Sequence, residues 1–210
     1  MARTAPFDSY LCEYEKWFDD NQYVYLSELE AIREVIPVGG KGIEIGIGSG
    51  LFASPLGITE GCDPSAEMRK KAAQRGLHAI EGIAENLPYE AKSFDYALMV
   101  TTICFVDDAM KTYREINRIL KPGGTVITGF VDKNSPLGKL YVKYKEESLF
   151  YRDADFFSTE DIMDLLNHNN FKITKTCQTV FGNLEDIKAI QHPESGYGKG
   201  SFVIIQSKKK

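Results

Sequence analysis

The sequence is short of the residues that build metal sites and disulfide frameworks. Its four cysteines, Cys12, Cys62, Cys104 and Cys177, stand far apart with no C-x-x-C pair, and there are only three histidines. That pattern matches neither a zinc site nor a disulfide scaffold, and it reads as free thiols in a reducing compartment. Long apolar runs are also missing. The longest, such as Tyr96 to Val100, cover about a quarter of a membrane span. Met1 to Tyr10 has no apolar stretch followed by a small-residue cleavage site, so a cytoplasmic chain without membrane contact is expected. Basic charge is in deficit as well. There are 25 Lys and Arg against 30 Asp and Glu, for a net charge of −5. A nucleic-acid module would carry a basic surplus, and the tail Lys208-Lys209-Lys210 is too short to be a binding arm. No nucleic-acid partner is expected.

What remains is an ordinary globular composition over 210 residues, enough for one domain without staples. Short β-like runs alternate with helical periodicity. Lys41–Ile47, Ile58–Asp63, Leu77–Gly82, Phe94–Thr101, Gly124–Phe130, Phe171–Phe181 and Ser201–Gln206 read as strands. Between them, Ser27–Ile36, Pro64–Arg75, Ala109–Leu120 and a capping box at Ser158-Thr159-Glu160-Asp161 read as helices, with Pro64 at the first helical position. The alternation implies an α/β fold with a mainly parallel sheet covered on both faces, closed by an antiparallel pair at its far end. Two aromatic-rich stretches look added to this core. The expected division of the single domain 1–210 is an N-terminal lid at 1–25, a binding core at 26–131, an insertion at 132–157 and the rest of the sheet at 158–210.

The sharpest signal is Gly42-Ile43-Glu44-Ile45-Gly46-Ile47-Gly48-Ser49-Gly50, which follows a strand and precedes a helix. In an open α/β sheet, ligands bind at that edge. The dinucleotide fingerprint would need Gly or Ala at position 51, which is Leu51. Glu44 would repel a pyrophosphate, but its sign suits a ligand carrying an ammonium and a sulfonium group. S-adenosylmethionine is therefore favoured over NAD. Asp63, nineteen residues after Glu44, can accept from both hydroxyls of a ribose. Met68 lies one turn further on, within reach of an adenine.

These segments resemble class I S-adenosylmethionine-dependent methyltransferases, in the broad small-molecule group with the methyltransferase type 11 domain. The likeness rests on E-I-G-I-G-S-G (44–50), C-D-P-S-A-E-M (62–68), G-I-A-E-N-L-P-Y (82–89), S-F-D-Y-A-L (93–98) and R-E-I-N-R-I-L-K-P-G-G (114–124). It implies a Rossmann-like three-layer sandwich whose seven-stranded sheet is ordered 3-2-1-4-5-7-6 with strand 7 antiparallel. It also implies that Glu44 stands near the methionine ammonium, and that Gly46, Gly48 and Gly50 form the loop against the methionine and ribose. Asp63, with Pro64 beside it, would hold the ribose. Ala84 would meet the adenine, with Glu85 as a substitute acid, and Thr101 would lie beneath the methionine moiety. Two departures stand out. Ile83 occupies a position where relatives often carry Asp, and Thr102-Ile103-Cys104-Phe105 replaces a loop that often carries His.

The acceptor side is less legible. His78, His168 and His192 fall at positions that suit surface roles, Asp108 suits a helix cap, and Asp132 suits either the acceptor or a solvated loop. No catalytic base is assigned, and methyl transfer from a sulfonium does not require one. No [DNS]-P-P-[YFW] segment follows the fourth strand. The aromatic stretches are the expected pocket: Tyr14 and Trp17 against the cofactor, and Phe105, Tyr141 and Tyr144 against the substrate. The reading is a methyltransferase acting on a small-molecule acceptor, with a homodimer left open. The rivals are a non-catalytic S-adenosylmethionine-binding module and, behind it, an NAD-dependent oxidoreductase.

Overall fold

Strand Phe94–Val100 (β4) lies at the centre because nearly every residue of it is apolar and buried. Its side chains alternate between faces, so Leu98 and Val100 join one core while Ala97 and Met99 join the other. Leu98 and Met99 are completely buried, each worth ~1.5–3 kcal/mol relative to exposure. The computed structural model describes residues 4–210. Residues 1–3 of the expected lid lie outside the described residues.

Gly42–Ile45 (β1) pairs in parallel with β4 on one side and with Glu60–Asp63 (β2) on the other. His78–Glu81 (β3) extends that flank, and Leu120–Val131 (β5) pairs in parallel beyond β4. The far end is antiparallel: Phe202–Lys209 (β8) lies between β5 and Phe171–Thr179 (β6). This is the Rossmann-like arrangement expected, with one difference. The loop between the last two long strands folds back, and its Glu194–Ser195 (β7) pairs with Cys177 and Gln178 on the outer edge of β6. The sheet therefore has eight strands in the order β3-β2-β1-β4-β5-β8-β6-β7.

Helix Gln22–Arg33 (α3) and helix Ala66–Gln74 (α4) contribute to the core on one face. Helix Ala109–Ile119 (α5) and helix Thr159–His168 (α7) cover the other. On that second side the completely buried Tyr113 satisfies its hydroxyl with Thr128 Oγ1 at 3.1 Å. The capping box of α7 forms as expected, with Ser158 and Asp161 bonding each other's backbone N–H groups. Helix α4 starts later than expected. Its N-cap is Ser65, whose hydroxyl accepts from Met68 N–H, so Pro64 sits outside the helix. Asp132 is neither solvated nor aimed at an acceptor. It is buried and accepts from the backbone N–H and hydroxyl of Thr159, fixing the start of α7.

The N-terminal segment folds as Ala5–Ser9 (α1), Leu11–Asp20 (α2) and then α3, which runs through residue 25 without a break. Two acidic residues strap it to the core. Glu15 on α2 meets Lys71 at 3.1 Å and Arg75 at 2.7 Å, and Asp8 on α1 accepts from the Ser65 hydroxyl at 2.5 Å. Helix Pro136–Tyr144 (α6) follows β5 in the insertion. No helix among the described residues is long and apolar enough to cross a membrane.

Candidate active site

The sheet changes direction of growth at β1, with β2 on one side and β4 on the other. A crevice opens there at the carboxyl ends of the strands. The loop after β1 needs glycine for two separate reasons. Gly46 and Gly48 both adopt positive φ, at 68° and 53°. A Cβ on Gly46 would also stand 2.4 Å from Thr102, whereas one on Gly48 would project to 3.6 Å from the Tyr14 hydroxyl and 3.9 Å from the Met68 sulfur. Both residues line a cavity of ≈ 330 Å³, at the lower end of the range for small-molecule sites. Gly50 corrects the expectation. It does not line the cavity, and its Cβ would collide with Leu77 at 2.3 Å, so it is there for packing.

Asp63 ends β2 on the cavity wall. One carboxylate oxygen accepts from Gly48 N–H and the other from Ser65 N–H, both at 2.9 Å. Each oxygen keeps a second lone pair, so the carboxylate is oriented but not saturated. Burial raises its pKa, and the two N–H groups and Arg69 oppose that rise. Glu44 is 2 % exposed and is not among the residues lining the cavity. Its Oε2 has no hydrogen-bond partner among the described residues, and burial pushes its pKa well up. The acid expected near the ammonium is thus a buried carboxyl outside the wall. Burial is the main cause holding the Tyr14 hydroxyl on that wall against ionising, and Glu44 and Asp63 act in the same direction.

Pro64, Met68, Ala84, Thr101 and Trp17 all line the same cavity. Thr101 is backbone-strained, a β-branched residue at φ 50°, with its N–H bonded to Gly129 O at 2.8 Å. Such a conformation costs about 1–3 kcal/mol and tends to occur where function requires it. Glu85 lines the cavity too, but its Oε1 accepts from the N–H groups of Asp107 and Asp108, which ties the loop after β3 to the loop after β4. Asp108 caps α5 through Lys111 N–H, as expected.

The aromatic residues split. Phe105 stacks on Tyr151 with centroids 5.8 Å apart, and Tyr151 stacks on Tyr141 at 4.9 Å, so the three form a continuous wall. Phe7 meets Phe105 edge-on at the end of this wall, and Tyr14 and Phe150 pack around Phe7 in turn. Tyr144 does not join them. It ends α6, is 46 % exposed, and has the Lys143 ammonium over its ring at 4.8 Å. The three histidines are exposed and outside the cavity: His78 on β3, His168 at the end of α7, and His192 beside Glu30. Among the cavity residues not expected from the sequence is a buried acid, Glu28 on α3, which is 5 % exposed. The signal was present. Val24, Glu28, Ala31, Ile32 and Val35 recur at helical spacing, placing a carboxylate inside an apolar stripe.

The methyltransferase domain family matches residues 43–128. A crystal structure of a Thermotoga maritima protein, described as a SAM-dependent methyltransferase and possible histamine N-methyltransferase, is 47 % identical. It superposes with a TM-score of 0.96 over 99 % of this chain and 100 % of its own. The chain belongs to the S-adenosylmethionine-dependent methyltransferases. An uncharacterized protein of Methanocaldococcus jannaschii is 42 % identical over 97 % of this chain and 98 % of its own length. A demethylmenaquinone methyltransferase of Staphylococcus haemolyticus is 27 % identical over 58 % of this chain and 63 % of its own. Members of this family bind S-adenosylmethionine, and the cavity fits it in two respects. The wall at Gly48 is open where any side chain would intrude, and Asp63 presents on that wall a carboxylate held in place by the Gly48 and Ser65 N–H groups, with lone pairs left to accept from the ligand.

Proposed function

We propose that this methyltransferase transfers the methyl group by in-line displacement to a small-molecule acceptor held among the aromatic rings. The observation that carries the reading is the continuity of one cavity. The same walled space takes in Gly46, Gly48, Asp63 and Met68 and also the ring stack Phe105–Tyr151–Tyr141. Its modest volume favours a small acceptor over a large one.

When bound, S-adenosylmethionine supplies a methyl group already activated on a positively charged sulfur. The chain's residues then have to bind, align and exclude water. Asp63 accepts hydrogen bonds from the ribose hydroxyls with its spare lone pairs. Met68, Ile83 and Ala84 offer apolar surface for the adenine. Tyr14 and Trp17, brought over the glycine loop by α2, keep solvent from the reacting atoms. Thr101 fixes the floor of the cavity in its strained conformation. Alignment of this kind can contribute roughly 7–11 kcal/mol, which is why no strong base is required for every acceptor. A non-catalytic binding module would have its acceptor side blocked, and the ring-lined space speaks against that rival.

The test is calorimetry with S-adenosylhomocysteine on wild type and Asp63→Ala, followed by mass-spectrometric detection of S-adenosylhomocysteine formed during incubation with acceptor pools. Micromolar binding that weakens in the variant, together with acceptor-dependent turnover, supports the reading. A folded protein indifferent to the ligand refutes it.

A further inference from the structure

Glu28 takes no part in shaping the glycine loop or strapping the lid. It projects from α3 into the cavity, 5 % exposed, and no hydrogen bond or cation from the described residues reaches its carboxyl. A buried carboxyl without a partner is costly, and native structures rarely leave one unless a ligand completes it. The surroundings say what kind of ligand. Among the described residues, no Lys, Arg or His lines this cavity, so an acidic acceptor would find no counter-charge. Glu28 acts electrostatically on Tyr141 and Tyr151, two members of the ring stack, and stacked rings attract cations.

We propose that Glu28 is the acceptor-binding group and general base of the site, and that it selects a small basic amine seated against Phe105, Tyr141 and Tyr151. This assignment rests on the methyltransferase reading above and names its substrate class. The Glu28 carboxylate pairs with the incoming ammonium and takes one proton from it, leaving a nitrogen lone pair. That lone pair forms the new N–C bond as the S–C bond breaks, and the bonding pair leaves on sulfur. The product departs as a methylated ammonium, and Glu28 returns its proton to solvent. Burial pushes the Glu28 carboxyl up to about 8, which brings it closer to the basicity of an amine than an ordinary carboxylate.

The experiment begins by saturating wild type with S-adenosylhomocysteine. Titration then follows with 2-phenylethylamine and tryptamine against their alcohol counterparts, 2-phenylethanol and tryptophol. A charge-assisted contact predicts that at least one amine binds about 10- to 100-fold more tightly than its alcohol. In Glu28→Gln the preference should fall to about twofold or less, with S-adenosylhomocysteine affinity within about twofold of wild type. Glu28→Asp keeps the charge but draws it back by one methylene. It should keep part of the preference while methylating the amine more slowly, read as N-methylated product by mass spectrometry. Three results overturn the assignment: no amine preferred over its alcohol, a preference that survives Glu28→Gln, or a loss confined to S-adenosylhomocysteine affinity. Failure of S-adenosylhomocysteine to bind wild type in the first step overturns the methyltransferase reading instead, so the two failures are distinguishable.

Discussion

Glu28 should make the empty protein less stable as pH rises through the neutral range. In the folded chain burial holds its carboxyl near 8, against an ordinary value of 4.5. Below about 4.5 both folded and unfolded chains carry the proton, and Glu28 costs nothing extra. Above that point the unfolded chain ionises while the folded chain does not, so the penalty grows until about pH 8 and then stays constant. At 1.36 kcal/mol per pKa unit, the full penalty is roughly 5 kcal/mol above pH 8 and roughly 3 kcal/mol at pH 7. Glu28→Gln retains the shape and removes the ionisation, so it should be the more stable protein, increasingly so toward alkaline pH. At ~2–4 °C per kcal/mol for a chain of this size, the gain in Tm at pH 7 is about 6–12 °C. Thermal melts of both proteins from about pH 5 to about pH 9 provide the measurement, read as the difference between the two curves. Taking the difference matters because Glu44 and Asp63 are also raised by burial and give both proteins a shared pH dependence. The neighbouring phenols Tyr14, Tyr141 and Tyr151 are all raised further by burial and stay neutral throughout that range. Parallel curves would refute the claim that Glu28 is a buried, unpaired acid.

Asp63→Ala should weaken S-adenosylhomocysteine by about 10- to 100-fold in calorimetry, because two charge-assisted acceptors are lost and the Gly48 N–H is freed. Gly48→Ala and Gly50→Ala should separate in kind although both glycines have positive φ. The first places a methyl group in the cavity and should abolish cofactor binding in a folded protein. The second drives a methyl group into Leu77 and should lower Tm instead, with affinity lost only in proportion to unfolding. Glu15→Ala releases α2 from Lys71 and Arg75, pairs that retain some solvent exposure, so the stability loss should be under about 1 kcal/mol. Its signature is a faster S-adenosylhomocysteine off-rate in stopped flow, and an unchanged off-rate would show that this strap does not hold the lid.

The features that the sequence disclosed are those written in local chemistry. Positive φ at Gly46 and Gly48 admits little besides glycine, so the loop shows itself in alternate glycines. The buried run of β4 and the Ser158 capping box likewise depend only on neighbours along the chain. Most of what the sequence did not disclose turns on a partner distant along the chain. Whether a glycine of the loop faces ligand or Leu77 depends on where α4 packs, which separates Gly50 from Gly48. Ser65 takes the cap that Pro64 seemed to announce because Asp63 is turned toward Gly48 and Ser65 instead. Thr101 gives no local hint of its left-handed backbone, which is held by Gly129 across the sheet. Glu28 is the instructive case, since its place in the apolar stripe of α3 could be read from spacing alone. An acid among helical residues passes for a solvent-facing one unless its register is followed. An ionisable residue on the buried, cavity-facing side of a helix is therefore the feature to seek in related chains whose acceptor is unknown. Its charge sign, set against the sign of the other groups lining the cavity, gives the sign of the molecule that completes the site.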